Sequence, residues 1–338
     1  MVTLFRYGMA MNDRLHGLEA VRGIAAIIVA WTHAQILSGS QAPAALWFDK
    51  GYLAVDLFFI LSGFVLCRAF EGRMPSPRAF LQMRFVRLWG LVAIGIAFGA
   101  LHYAVRGEDL LMLFPHLAAG LLILPVIGFA IFLNPPAWSI FFELVANTLH
   151  AAAFDRIGNG VLLALIGLCG VILMRFTYAE GLDVRHDIYF LLGIPRVVMS
   201  YCLGIVLCRI NRDQRWVPAH WAWPVIFAFP VLVAAAGLLL PPQLEVLAVL
   251  IVGPAVILGS LSLKTSPVAV FLGAISFPLY AVHFPLQLLC IMWGTGFWAT
   301  LGLSLIGSTI VALVCDRRSR AALLDVVSWK RPPRQQVA

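Results

Sequence analysis

Apolar segments long enough to cross a lipid bilayer recur along the whole chain, and this recurrence constrains the fold more than any other feature. About 20 helical residues cross the roughly 30 Å of hydrocarbon in a membrane. Of the 338 residues, 62% are hydrophobic and 12% are charged, which is about half the charged fraction of a soluble domain. The sequence therefore predicts an all-α fold, a polytopic membrane helical bundle. Eleven candidate spans cover residues 18–37, 51–70, 88–105, 110–133, 138–154, 159–176, 188–210, 222–240, 244–262, 268–291 and 295–315.

The positive charges between these segments predict which side each loop faces, because lysine and arginine favour the cytoplasmic side. Five arginines lie between residues 68 and 87, after the second candidate span. They place that segment in the cytoplasm, and two crossings back the N-terminus, residues 1–17, lies there too. The tail, residues 316–338, is also basic. The sequence thus predicts a membrane domain over residues 18–315, in the inner membrane of the cell, with both termini in the cytoplasm.

Two cytoplasmic termini require an even number of crossings, so one of the eleven candidates is not a full span. Removing one crossing between residues 88 and 176 also places the loop with Arg209 and Arg215 in the cytoplasm. The stretch at 110–150 is interrupted by prolines, including Pro115, and non-helical backbone at membrane depth is tolerated only beside a protein cavity. We therefore predict about ten transmembrane helices with one broken or re-entrant element in that stretch.

Net charge and cysteine spacing argue against other classes of protein. The formal charge of +8 falls in short segments between apolar runs, which is typical of anchoring to an anionic leaflet rather than of nucleic-acid binding. Six cysteines are scattered mostly within the apolar runs and never form a CxxC pair, so the sequence predicts neither a zinc site nor a disulfide framework. We therefore expect the bilayer as a partner, no nucleic acid and no metal.

The first apolar run carries three ionisable residues, Glu19, Arg22 and His33. Such groups are costly inside a membrane, so they usually face a protein interior and have a partner. Arg22 and His33 are eleven residues apart, about three helical turns or about 16 Å, and share one face. Glu19 lies one turn before Arg22, close enough to pair with it. A signal-anchor helix with a snorkelling arginine explains Arg22 but not His33, so we expect this helix to line a polar cavity.

Two further polar groups lie in and after the second run. Asp56 and Ser62 interrupt an aromatic-rich span; Asp56 fits helix cementing and site lining about equally, whereas Ser62 suits close helix packing. Arg84 and Arg87 lie one turn apart at the start of the next run. Two guanidinium groups on one face match phosphate oxygens, although lipid headgroups would satisfy them too.

A fourth group lies at residues 135–147, where Trp138, Ser139, Glu143 and Asn147 interrupt an apolar run. Glu143 and Asn147 are one turn apart, so a carboxylate and an amide face the same way. A glutamate inside an apolar run is a site candidate by default, though an arginine partner would also explain it.

The fifth group is late in the chain, where Ser276, Tyr280 and His283 fall within one apolar run. Tyr280 and His283 share a helical face. Counted from the start of its run at residue 268, His283 lies about 22 Å deep, and His33 lies at much the same depth in the first run. Both histidines are therefore predicted in the outer half of the membrane.

These five groups, in this order, resemble the acyltransferase-3 family of integral-membrane O-acyltransferases, which includes bacterial O-antigen and exopolysaccharide O-acetyltransferases. The likeness runs from about Arg14 to Pro285. The matching features are an arginine, ten residues and a histidine (Arg22, His33); an RxxR pair (Arg84, Arg87); GYLAVDLFFILSGF with Asp56; WSIFFE at 138–143; and AISFPLYAVHFP at 274–285. Departures from the family pattern are Glu19 for Asp, Ala54 for Gly, and Ala281 and Val282 for bulkier residues, and none removes a candidate catalytic side chain.

The resemblance implies an enzyme that moves an acyl group, with acetyl the first expectation, from acyl-CoA to a hydroxyl of a surface sugar or polysaccharide. Acetyl-CoA is then a co-substrate, and the acceptor partner is a glycan or a lipid-linked sugar. His33 would take the hydroxyl proton near neutral pH. Direct transfer and a covalent acyl-enzyme on His33 or Ser62 both stay open.

The same resemblance assigns roles to thirteen residues. Glu143 has two alternative roles, orienting His33 or orienting a bound substrate, and Glu19 is expected to orient Arg22. The catalytic set is His33, Glu143 and His283; the CoA-binding set is Arg22, Arg84 and Arg87; and the supporting set is Glu19, Asp56, Ser62, Trp138, Ser139, Ser276 and Tyr280.

A transporter or flippase of a lipid-linked sugar would also use buried charges and broken helices, without acyl-transfer chemistry. A non-catalytic membrane scaffold is a third interpretation, and five chemically coherent polar groups argue against it. Transfer of label from acetyl-CoA to an acceptor hydroxyl distinguishes the enzyme from both alternatives.

Overall fold

The computed structural model shows an all-helical bundle, with eleven α-helices and no strand among the residues that it describes. Nine helices of that part of the chain are long and apolar enough to cross a membrane, which confirms the predicted membrane bundle. The predicted N-terminal segment before Leu15 and the basic tail after Asp316 lie outside the described residues, as does Asp213 in the 209–215 loop. The described residues are 15–125, 133–177, 181–183, 187–211, 215–264 and 266–316.

The helices are separated mostly by short turns, and 3-10 segments at Gly51–Leu53 and Ala219–Trp221 lead directly into α2 and α8. The eleven helices are α1 His16–Ser38, α2 Ala54–Phe70, α3 Pro77–Val105, α4 Leu110–Leu121, α5 Ala137–Leu149, α6 Asn159–Phe176, α7 Gly193–Ile210, α8 Ala222–Leu239, α9 Glu245–Ser260, α10 Pro267–Met292 and α11 Phe297–Cys315. We call the end of the bundle where α2 ends and α3 begins the basic end, because most of the arginines between residues 68 and 87 lie there.

The broken element predicted near residues 110–150 is present at α4. This helix has only 12 residues and contains Pro115. Its last residues lie against the middle of α3, where the Trp89 indole donates to the Leu121 carbonyl at 2.8 Å. Further along the chain, the carbonyl of Leu133 packs against Gly99 of the same helix α3. Leu121 and Leu133 therefore both lie beside α3, as expected for a segment that is not a full crossing.

Helix α5 takes the remaining crossing in this stretch. Its 13 residues continue without a break into a five-residue π-helical segment, His150–Phe154. The combined rod is about 25 Å long, close to the thickness of the hydrocarbon layer. Its α-helical part is too short to be among the nine long apolar helices, and the combined rod is the candidate for the tenth crossing that the charge pattern predicts.

Helix α10 lies between α1, α3 and α11 and brings the late polar group into the centre of the bundle. Pro285 has no N–H, so the Ala281 carbonyl four residues earlier has no helical donor. The side chain of Asn134 fills this gap, with Nδ2 donating to the Ala281 carbonyl at 2.9 Å. A Cβ on Gly95 would lie 2.8 Å from that nitrogen, so the residue at position 95 has to be glycine. The segment before α5 is thereby fixed against α10, two residues before His283.

Candidate active site

Two histidines from opposite ends of the chain meet inside the bundle. His33 Nδ1 on α1 lies 3.0 Å from His283 Nε2 on α10. The prediction that both lie at a similar depth is confirmed. His283 is fully buried, and its Nδ1 lies 2.9 Å and 3.0 Å from the carbonyl oxygens of Leu279 and Tyr280.

These contacts determine where the protons lie. A carbonyl oxygen only accepts hydrogen bonds, so Nδ1 of His283 carries the proton and, in the neutral ring, Nε2 carries the lone pair. Nδ1 of His33 must then be the donor between the rings. The lone pair of neutral His33 is consequently on Nε2, the nitrogen that can accept a proton from a hydroxyl.

His33 borders a small cavity of about 40 Å³. The volume is of the order of a few water molecules. Aromatic rings, a carboxylate and a guanidinium group converge on it from five parts of the chain. The polar and aromatic lining residues are Thr32, His33, Tyr52, Trp138, Asp183, Arg196 and Tyr280.

Arg22 lies nearer the basic end than His33, on the same helix. Its Nε donates to Ser276 Oγ of α10 at 3.0 Å, and Ser276 in turn donates to the Gly273 carbonyl at 2.7 Å. Glu19, predicted to pair with Arg22 and orient it, forms no hydrogen bond with Arg22 among the described contacts; its Oε2 lies 3.5 Å from His16 Nδ1. The hydroxyl of Ser276, rather than a carboxylate, therefore orients Arg22. Among the described residues this is Arg22's single hydrogen bond, so its terminal nitrogens are donors for a ligand.

Arg84 and Arg87 do not present a common face, contrary to the prediction. Arg84 is 6% exposed and its Nη2 lies 2.7 Å from Glu143 Oε1, whereas Arg87 is exposed. The two positions differ by 60° around the helix axis, enough to separate inside from outside on a half-buried helix.

Glu143, the partner of Arg84, binds a second residue as well. Its Oε1 accepts from Arg84 and also from Ser62 Oγ at 3.0 Å. Glu143 does not reach His33, so the first of its two predicted roles, orienting His33, is wrong for this structure. Ser62, which suited close packing, instead holds a site carboxylate. Arg84 Nε has no hydrogen-bond partner among the described residues.

Asp56 forms a buried ion pair that the sequence did not identify. Both of its oxygens accept from Arg196, at 2.7–3.1 Å, and Ser200 donates a further bond at 3.0 Å. The side chains are 1% and 0% exposed. The pair cements α2 to α7, and Arg196 also borders the cavity, 5.7 Å from the Trp138 ring. Asp56 itself does not line that cavity, so of the two roles that the sequence left open the structure shows helix cementing.

The missed residue Arg196 had a signal: it is an arginine within an apolar run, which usually means a buried partner. The last predicted residues, Ser139 and Tyr280, meet with their hydroxyl oxygens 2.5 Å apart. This contact joins α5 to α10 beside the cavity. Among the described residues, no group of three or more His, Cys, Asp or Glu side chains could hold a metal ion.

Comparisons with known proteins agree on one family. A model of the acyltransferase-3 family, an acyltransferase domain, matches residues 15–317. The chain is 28% identical to the acyltransferase MdmB of Streptomyces mycarofaciens over 318 residues, covering 80% of this chain and 78% of that protein. It is 36% identical over 186 residues to protein 2 in the picA locus of Rhizobium radiobacter, covering 48% of this chain and 94% of that protein. No solved structure matches.

Proposed function

Because this chain belongs to the acyltransferase-3 family and is an integral membrane acyltransferase, we propose that it transfers an acyl group from acyl-CoA to a hydroxyl of a surface sugar or polysaccharide. Acetyl is the first acyl group to test. The observation that supports this proposal is the His33–His283 pair, which leaves the lone pair of His33 on Nε2 beside a cavity.

The chemical step follows from that tautomer. His33 Nε2 takes the proton of the acceptor hydroxyl as its oxygen attacks the thioester carbonyl carbon. The tetrahedral intermediate collapses, the carbon–sulfur bond breaks, and the imidazolium of His33 returns the proton to the CoA thiolate. His283 Nε2 accepts from His33 Nδ1 throughout, so it holds the ring in place and stabilises its positive charge.

The donor is proposed to approach from the basic end. Arg22 is about 16 Å from His33 along α1, three helical turns, which is on the scale of an extended pantetheine arm. Arg22 can donate its terminal nitrogens to a phosphate, and Arg84 can do so if it exchanges Glu143 for the ligand. Arg87, exposed at the same end, is suited to the first encounter with an anion.

The membrane orientation is part of the same proposal. Acyl-CoA is a cytoplasmic metabolite, so the basic end faces the cytoplasm, in accord with its arginines. Residues 1–17 and 316–338 are then cytoplasmic segments around a catalytic membrane domain at 18–315, in the inner membrane. Reporter fusions at residue 182 should report the outer side and fusions at residue 213 the inner side; the reverse result would reject this topology.

Acyl transfer is tested directly with the purified full chain in detergent, acetyl-CoA labelled in the acetyl group, and glycan and lipid extract of the native cells. Label should appear in an ester of the extract. His33→Ala should lower the rate by about 100- to 10,000-fold, the usual contribution of a general base. His220→Ala, a change at an exposed histidine, is the matched control and should keep wild-type activity.

Substantial activity in His33→Ala would remove His33 from the centre of the reaction. Movement of a lipid-linked sugar across proteoliposomes without any ester label would instead support the transporter.

A further inference from the structure

A second buried carboxylate, Glu245, lies on the side of the cavity away from Arg22. It is the first residue of α9 and is completely buried. Three donors from two distant segments converge on it. Lys50 Nζ lies 2.8 Å from Oε1, the Tyr52 hydroxyl donates to Oε1 at 2.8 Å, and the Leu182 N–H donates to Oε2 at 2.7 Å.

Two of these donors belong to the wall of the cavity or lie next to it. The Tyr52 ring lines the cavity with His33, and Leu182 precedes Asp183, which also lines it. Glu245 therefore joins two segments of the cavity wall that are far apart in the sequence. The fit is close, because a Cβ on Gly181 would lie 2.6 Å from Glu245 Oε2.

The same segments are tied a second time by Arg196. Its Nη1 donates to the Leu182 carbonyl at 2.5 Å, and its Nη2 donates to the Tyr52 carbonyl at 2.7 Å. Leu182 and Tyr52 are thus each bonded twice. They donate hydrogen bonds to Glu245 and accept hydrogen bonds from Arg196. Arg196 is also held by Asp56, whereas among the described residues Glu245 is held by Lys50, Tyr52 and Leu182 alone.

We propose that Glu245 is a positioning residue that keeps this wall of the cavity closed and so controls the access of water to His33. An enzyme that moves an acyl group has to exclude water, because water competes with the acceptor for the thioester. The consequence for acyl transfer rests on the proposed function, whereas the access of reagents to His33 does not.

The first test measures that access without any substrate. Diethyl pyrocarbonate acylates neutral imidazole, and mass spectrometry gives the rate at each histidine. Glu245→Gln keeps the size of the side chain but loses the charge and places an amide N–H among donors. We expect the rate at His33 to rise about tenfold, the effect of losing roughly one charge-assisted hydrogen bond.

Two other histidines of the same protein serve as controls that distinguish opening of the cavity wall from a general loosening of the fold. His220 is exposed, and His150 is fully buried among other helices; neither rate should change in the variant. Glu108→Gln, at an exposed glutamate between α3 and α4, is the matched control and should leave every rate unchanged. An unchanged rate at His33, or an equal rise at His33 and His150, would overturn the proposal.

A second variant covers the case in which Glu245→Gln does not fold. Tyr52→Phe keeps the ring in the wall and removes one hydrogen bond to Glu245, so it should raise the His33 rate by a smaller factor. With acetyl-CoA and no added acceptor, both variants should release acetate faster than wild type. Faster labelling of His33 without any acetyl transfer by the wild type would reject the proposed enzyme and leave the positioning role of Glu245 intact.

Discussion

Two of the carboxylate–guanidinium pairs in the bundle, Asp56–Arg196 and Glu143–Arg84, use the same chemistry in different surroundings. The Asp56–Arg196 pair has three hydrogen bonds between its partners, side chains 1% and 0% exposed, and further bonds from Arg196 to two carbonyls. The Glu143–Arg84 pair has one hydrogen bond, side chains 22% and 7% exposed, and an Arg84 Nε without a partner among the described residues.

The two pairs differ in how many of their hydrogen-bonding groups are already used. This difference distinguishes a structural ion pair from one that can bind a ligand. Each of the three guanidinium nitrogens of Arg196 already donates a hydrogen bond within the protein, so a ligand would have to displace existing partners. Arg84 has an unused donor and a partner that Ser62 also holds, so exchange of Glu143 for a phosphate costs less. We expect the first pair to determine stability and the second to determine substrate binding.

The largest effect is expected from Arg196→Met, which leaves the Asp56 carboxylate buried without its partner. Breaking a buried ion pair in this way costs about 3–5 kcal/mol. The thermal midpoint of the purified protein in detergent should fall sharply, or folded protein should be lost on size-exclusion chromatography. Arg175→Met, at an exposed arginine of α6, should change stability by no more than about 0.5 kcal/mol.

The double variant Asp56→Leu with Arg196→Met sharpens this test, because replacing both members of a buried pair is often close to neutral. It should recover most of the lost stability. If the double variant is no more stable than Arg196→Met, the pair is not the energetic unit that its geometry indicates.

An intermediate effect is expected from Arg84→Ala. The protein should fold, since Glu143 keeps its bond from Ser62, while acyl-CoA affinity should fall about 10- to 100-fold, the worth of one charge-assisted hydrogen bond. Binding is measured by calorimetry or by tryptophan fluorescence. Arg78→Ala, an exposed arginine at the start of the same helix, is the control. Unchanged affinity with lowered stability would place this pair in the framework, like Asp56–Arg196.

The smallest effect is expected from Arg87→Ala. This side chain is exposed, so its attraction for an anion is weakened by water and by salt. Acyl-CoA affinity should fall about two- to threefold at low ionic strength, and the difference should disappear at about 0.5 M salt, where screening is strong. A loss as large as that of Arg84→Ala would restore the two-arginine phosphate site that the sequence suggested.

Spacing along single helices was a good guide to position. The distance from each run's start placed His33 and His283 at one depth, and the two rings do meet. The prolines and the charge pattern placed the broken element within residues 110–150, where α4 is only 12 residues long and contains Pro115. These predictions depend on helical rise and on the cost of charge in hydrocarbon, both of which act locally.

Partner choice was predicted less well. Glu19 was expected to orient Arg22, and Glu143 to orient either His33 or a bound substrate. In the structure Ser276 bonds to Arg22, and Arg84 bonds to Glu143. Each apolar helix offers several faces to its neighbours, and small rotations change which polar side chains meet.

The sequence by itself determined that this protein is a membrane helical bundle of the acyltransferase-3 type, with charged groups at particular depths, because hydrophobicity and motif order are properties of the chain. Only the tertiary structure decided how those charges are paired. His33 and His283 are 250 positions apart and Asp56 and Arg196 are 140 apart. Contacts of that range depend on how the helices pack against one another, and that packing determines which carboxylates are locked and which can yield to a ligand.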